Sequence, residues 1–211
     1  MTRDLTVAVM AGGKSSRMGT DKSFVSLLDK PMIEHVLERI ADLGQSATIL
    51  IANQPDSYAY LGLPVYTDVL RDKGSLGGIY SALVHSETEH TLALACDMPF
   101  LVPDLLRYMA ALNAPAQGGP YDVIVPRVDG HPQGLHAFYS KHCLEPIRTR
   151  LDQDRLKVIG FYEQVRVRYL DSPEYARFDA HGLAFHNVNT PDELAQAAAI
   201  MRGESPPSPP I

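Results

Sequence analysis

A chain of 211 residues, 45% hydrophobic and 21% charged, has the composition of an ordinary folded protein long enough to bury a substantial core. A net charge of −6 excludes a global basic field that would recruit nucleic acid, so any anionic ligand must be met by local cations. Two cysteines, Cys96 and Cys143, are too few for a disulfide framework or a zinc site and read as buried thiols, and the N-terminal apolar run is too short for a signal peptide or membrane span, so a cytoplasmic protein with no membrane partner is expected.

Leu5 to Met10 is short, continuous and apolar and predicts a buried strand. The loop that follows, from Val9 to Ser23, carries three glycines and the cations Lys14, Arg17 and Lys22. Pro31 then reads as a first helical residue, and Ile33, Val36, Leu37, Ile40 and Leu43 share one helical face, closed by Gly44. Ala47 to Ala52 and Pro64 to Tyr66 predict two further strands. GSLGG, Gly74 to Gly78, reads as a loop opening a helix from Ile79 to about Ser86, and Thr91 to Cys96 as a fourth strand stopped by Asp97-Met98-Pro99. A helix follows from Pro103 to about Asn113. This alternation predicts an α/β fold of three layers, a mostly parallel, mixed sheet with helices on both faces.

Beyond it, Asp122 to Pro126 and GLHAFY read as a hairpin-like excursion around an Asp129-Gly130 turn. Helices are expected over Lys141 to Arg150 and Asp154 to Tyr162, with Asp152, Asp154 and Arg155 as a solvated helix start. VRVRYL and AFHNVN predict strands, and Thr190-Pro191-Asp192-Glu193 signals a helix start. Residues 1–203 are expected as one domain, with an N-terminal half (about 1–115) and a C-terminal half (about 116–203), before a disordered proline-rich tail at 204–211. Tyr58, Tyr60 and Tyr66 read as rim or packing residues. The pairs His131/His136 and His181/His186 have a spacing that places strand neighbours on opposite faces, against a shared metal.

The opening loop is neither a P-loop, since Ala8 stands where that motif needs glycine, nor a dinucleotide fingerprint, since its glycines fall at 12, 13 and 19. It is a long glycine-rich loop at the carboxyl end of the first strand, where open α/β sheets place their ligands. Its backbone N–H groups can approach phosphates, with Arg17 and Lys22 to neutralise them; a solvated connection is the bland alternative. Asp97 ends a buried strand at the same edge. Mg²⁺ prefers oxygen ligands and is commonly held by one or two carboxylates plus substrate phosphates, so basic loop and acidic strand end together suit a Mg-nucleoside triphosphate. Helix capping is the plainer role for Asp97.

The segments Ala11 to Lys22 (AGGKSSRMGTDK), Ile51 to Asn53, Thr67 to Ile79 (TDVLRDKGSLGGI), Cys96 to Phe100 (CDMPF) and Phe185 to Leu194 (FHNVNTPDEL) occur in an order that resembles the molybdenum cofactor guanylyltransferases. These belong to the nucleotidyltransferases with a Rossmann-like, glycosyltransferase-A-like fold, and the likeness spans roughly residues 5–200. The resemblance implies that Met10, Ala11, Gly12 and Gly13 line the nucleotide with their backbone, that Arg17 and Lys22 serve its triphosphate, and that Asn53, Asp68 and Gly77 belong to the nucleoside site. It implies Asp97 as ligand of Mg²⁺, with Mn²⁺ as substitute, Arg17, Lys22 and Asp97 as the catalytic set, and Asn187 and Asn189 on the acceptor side.

The implied substrates are GTP and molybdopterin, with molybdoenzymes, their chaperones or cofactor-insertion proteins downstream. Met10 stands where the family usually has leucine, GSLGG replaces a version with more proline, and His186 sits inside the asparagine motif. By resemblance, Ala11-Gly12-Gly13 favours guanine over the cytosine of the related cytidylyltransferases. A nucleotidyltransferase for a sugar or alditol phosphate and a non-catalytic nucleotide-binding module are the other readings.

Overall fold

A computed structural model describes residues 4–11, 22–114 and 117–204 of the chain. Gly12, Gly13 and Arg17 of the opening loop, and all of the proline-rich tail except Glu204, lie outside the described residues.

The main sheet is assembled from strands β1 (Leu5–Met10), β4 (Ala47–Ile51), β5 (Val65–Tyr66), β6 (His90–Ala95), β7 (Val123–Val128), β9 (His136–Ser140) and β10 (Val167–Leu170), in the order β10-β7-β9-β6-β1-β4-β5. Strands β1, β4, β5 and β6 pair in parallel, as do β7 and β10, while β9 runs antiparallel to both of its neighbours. A two-residue strand β8 (His131–Pro132) folds back on β7, and β2 (Ser26–Leu27) pairs with β3 (Lys30–Pro31) as a separate ribbon.

Period-two alternation sorts β1 between two cores. Leu5, Val7 and Val9 face one with α1 (Met32–Ile40) and α3 (Pro103–Ala111); Ala8 and Met10 face the other with α2 (Gly74–His85) and α4 (Leu144–Asp152). That is the expected three-layer arrangement. A third apolar cluster joins Leu27, Met32, Phe100 and Val188 to Ala197 of α6 (Pro191–Met201). It docks the C-terminal helix beside the end of β6.

Several expectations are corrected. GSLGG is not a loop before the helix but the start of α2 itself, and Gly78 is there because a Cβ would come within 3.3 Å of the Met10 sulfur. GLHAFY is the partner strand expected for β7, pairing with it antiparallel, but it is no excursion: β9 is buried along its whole length between β6 and β7. The Asp129-Gly130 turn does form, with φ of 50° and 80°, but it closes onto β8. Pro31 ends β3, and α1 begins one residue later.

Asp152 and Asp154 stand at the end of α4 rather than at a helix start, and Asp154 has φ 56°, which breaks the chain direction. The second expected helix is a 3-10 helix, Val158–Gln164, whose two β-branched residues and glycine are poor α-formers. AFHNVN forms no strand. Left-handed Gly182 leads into a 3-10 turn, Leu183–Phe185, and the following backbone and asparagines are committed to Asp97 and Lys22. A one-turn helix α5 (Ser172–Tyr175) was not anticipated.

Candidate active site

The carboxyl ends of β4, β1 and β6 lie side by side, and the candidate residues gather there. Ala11 N–H donates to Ile51 O at 2.9 Å and Cys96 N–H to Met10 O at 3.2 Å, which holds the three strand ends in line where the opening loop departs. Beyond Ile51, Asn53 pairs with Asp68: the Asn53 amide donates to Asp68 Oδ2 at 2.8 Å and the Asp68 N–H to Asn53 Oδ1 at 3.3 Å. Buried Ser81 of α2 accepts the Val69 N–H at 2.9 Å and donates to Gly77 O at 2.8 Å, fastening the Asp68 segment to the glycine-rich turn. A Cβ on Gly77 would lie 2.6 Å from the Lys73 Cβ, so this turn needs a residue without a side chain.

At the end of β6 stands Asp97, buried with only 8% of its surface exposed. Lys22 Nζ lies 3.6 Å from Asp97 Oδ2 and also donates to Asn189 Oδ1. Asn187 donates to Asp97 Oδ1 at 2.8 Å, and the Val188 N–H donates to the Asp97 backbone oxygen at 2.9 Å. Residues nearly a chain length apart are thus drawn onto one carboxylate. Glu193 holds the segment from below, accepting from the Asn189 N–H at 2.6 Å and the Thr190 N–H at 2.9 Å, while Thr190 Oγ1 accepts from the Glu193 N–H at 3.2 Å. This capping box fixes both the start of α6 and the asparagines before it.

Burial pushes the Asp97 carboxyl above the usual carboxylate range, with the Lys22 charge and the Asn187 hydrogen bond pulling the other way. Desolvation wins. A carboxylate in that state gains from any further cation brought to it. Among the described residues no group of three or more His, Cys, Asp or Glu could hold a metal, and Asp97 offers a single hard oxygen donor at this strand end.

The structure therefore brings Lys22, Asp97, Asn187 and Asn189 into one cluster, and Asn53, Asp68 and Gly77 into a second at adjacent strand ends. Met10 and Ala11 lie between them in the sheet order; Gly12, Gly13 and Arg17 are outside the described residues. Ser81 and Ser23, which support these clusters, carried no signal in sequence, while Tyr58 was legible only as a rim or packing residue and Glu193 only as part of a helix start. Tyr58 is packed at 0% exposure, and Tyr60 is a rim residue at 57%. Tyr66 stacks on His85 at 4.2 Å, and Cys96 and Cys143 are buried thiols that form no disulfide.

Residues 7–167 match the sequence profile of the MobA-like NTP transferase domain. A probable molybdenum cofactor guanylyltransferase of Pelotomaculum thermopropionicum is 37% identical over 195 residues, covering 92% of each chain. A probable molybdenum cofactor guanylyltransferase of Natranaerobius thermophilus is 33% identical over 201 residues, 93% of this chain and 96% of the relative. Among solved structures, molybdopterin-guanine dinucleotide biosynthesis protein A from Archaeoglobus fulgidus superposes with a TM-score of 0.81 at 28% identity, covering 94% of this chain and 99% of that one. Fold, strand-end cluster and sequence relationship agree, and this chain belongs to the MobA-like NTP transferase family.

Proposed function

We propose that the chain transfers the guanylyl group of GTP to the terminal phosphate of the molybdenum–molybdopterin cofactor and releases pyrophosphate. The observation that carries this reading is the buried Asp97 carboxylate held between Lys22 and Asn187 at the end of β6. The names of the relatives support guanine as the base and molybdopterin as the acceptor. The nucleoside contacts Asn53, Asp68 and Gly77 and the backbone from Met10 to Gly13. The acceptor approaches from the C-terminal half, where Asn187 and Asn189 face its phosphate.

An acceptor phosphate oxygen attacks the α-phosphorus in line, a new P–O bond forms, and the bond to the β-phosphate oxygen breaks as pyrophosphate leaves. No covalent enzyme intermediate is required, so the protein positions groups and neutralises charge. Lys22 meets the triphosphate and the charge that develops toward the leaving group, a role that Arg17 shares. Asn187 and Asn189 keep Asp97 and Lys22 in register. Nucleotidyltransferases of this kind use a divalent metal, and Asp97, a buried oxygen donor above its usual pKa range, fits Mg²⁺ or Mn²⁺ bound by one carboxylate and substrate phosphates. Bound there, the ion supplies charge neutralisation and orientation of the phosphates. Among the described residues no helix is long and apolar enough to cross a membrane. A cytoplasmic setting, with no nucleic-acid or membrane partner and the product passed to molybdoenzymes or their insertion proteins, completes the proposal.

Calorimetry with GTP, CTP, ATP and UTP, each with and without Mg²⁺, tests it. GTP with Mg²⁺ binds at least tenfold more tightly than the others, about 1.4 kcal/mol. CTP bound as tightly as GTP would overturn the base assignment and leave the fold unaffected.

A further inference from the structure

The two charged residues of the site each have a neighbour in sequence that is buried and polar: Ser23 follows Lys22, and Cys96 precedes Asp97. These neighbours touch. Ser23 Oγ donates to Cys96 Sγ at 3.2 Å, and the Tyr58 hydroxyl donates to Ser23 Oγ at 3.0 Å. Ser23 and Tyr58 are wholly buried and Cys96 is 8% exposed. The Tyr58 ring packs on Phe24 with centroids 4.8 Å apart, and Tyr58 belongs to the 3-10 helix Pro55–Leu61 that starts two residues after Asn53.

We propose that Tyr58, Ser23 and Cys96 form a positioning latch that sets the Lys22 ammonium against the Asp97 carboxylate and ties both to the Asn53 segment. The physical case rests on burial. A hydroxyl taken from water costs free energy unless it is hydrogen-bonded, so each member of the chain holds the next in place. Successive O–H donors polarise one another, which strengthens the chain as a unit. Lys22 opens a three-residue 3-10 helix, and the latch is one residue away. A displacement near 1 Å in a positioned group can cost about a hundredfold in rate, so a small slackening of this contact is visible in turnover. None of the three residues touches substrate in this scheme; they act through Lys22 and Asp97.

The turnover readout rests on the guanylyltransferase reading, whereas the geometry of the latch does not. Ser23→Ala, Tyr58→Phe, Cys96→Ala, Cys96→Ser and the double variant Ser23→Ala/Cys96→Ala are compared with Thr88→Val. That last change removes a buried bond to Thr6 (2.8 Å) from a residue just before β6, at the opposite end of the strand from Asp97. Acceptor-dependent pyrophosphate release is measured well below every melting midpoint, and amide hydrogen exchange is followed over residues 22–25.

The latch predicts that Ser23→Ala and Cys96→Ala each lower kcat about tenfold, that the double variant loses no more than either, and that Cys96→Ser, which keeps an acceptor, stays within about twofold of wild type. Exchange over 22–25 accelerates in Tyr58→Phe and Ser23→Ala. Thr88→Val lowers the melting temperature with kcat and this exchange unchanged. Wild-type kcat in the latch variants, losses that multiply in the double variant, or Cys96→Ser as impaired as Cys96→Ala would overturn the latch. If wild type turns over with another nucleotide, the base assignment fails and the latch is read with that nucleotide. If wild type transfers nothing, the guanylyltransferase reading fails, and the exchange result alone decides the latch.

Discussion

Asp97 carries the cost of its own burial. Its carboxyl is raised above the ordinary value of 3.8, so the folded protein holds that proton more tightly than the unfolded chain does. Between the ordinary and raised values the native state binds more protons, and stability therefore falls as pH rises through that window. Removing the charge should relieve the penalty. Asp97→Asn is predicted to abolish guanylyl transfer while melting no lower than wild type at neutral pH; a variant that melts lower would show the carboxylate to be a net stabiliser. Lys22→Ala is predicted to cost turnover on the order of 3 kcal/mol of transition-state stabilisation and to weaken nucleotide binding as well, since the ammonium meets phosphates in the ground state too. Turnover lost with GTP affinity unchanged would confine Lys22 to the transition state. Both residues were legible in sequence because a carboxylate at a strand end and a cation in a glycine-rich loop are local patterns. Ser23 and Tyr58 were not: a serine and a tyrosine gain their meaning only from partners 73 and 35 residues distant.

At the scale of single elements, β9 and α6 show what patterning reveals and what it hides. The Asp129-Gly130 turn marked GLHAFY as a partner strand, but the place of β9 between β6 and β7 depends on burial on both faces, which a hairpin reading does not supply. The inner position also buries His136 completely, its ring 4.9 Å from that of Phe185. Burial pushes this imidazole down to about 4, outweighing the help of the Ala184 backbone. The unfolded chain takes up the proton below the ordinary 6.5 and the native state does not until about 4, so stability is lost as pH falls through that window. The loss attributable to His136 is roughly 3 kcal/mol over the full window. Denaturant unfolding at several pH values should show His136→Leu with a flatter acid limb; an unchanged limb would mean that other groups carry it. For α6 the capping signal was readable because Thr190 and Glu193 bond to each other's backbone across one turn. Thr190→Ala is predicted to cost about 1 kcal/mol, seen as a melting temperature lower by about 2–4 °C. The AFHNVN segment misled because its apolar–polar alternation serves tertiary contacts to Asp97 and Lys22 rather than a sheet ladder.

Across the whole molecule, alternating strands and helices predicted a covered parallel sheet, and the parallel group β5-β4-β1-β6 follows that pattern. The antiparallel insertion of β9 and the return of the 183–189 segment to the end of β6 are long-range events with no local signal. The return sets that segment against Asp97 and Lys22. The central claim is that this strand-end site joins GTP to molybdopterin. The measurement that tests it most directly is pyrophosphate release from GTP with Mg²⁺, with and without molybdopterin, for wild type and Asp97→Asn side by side. The account predicts release that requires the acceptor, exceeds that from CTP, and is absent in Asp97→Asn although the variant remains folded. Release that ignores molybdopterin, favours CTP, or persists in Asp97→Asn would contradict it.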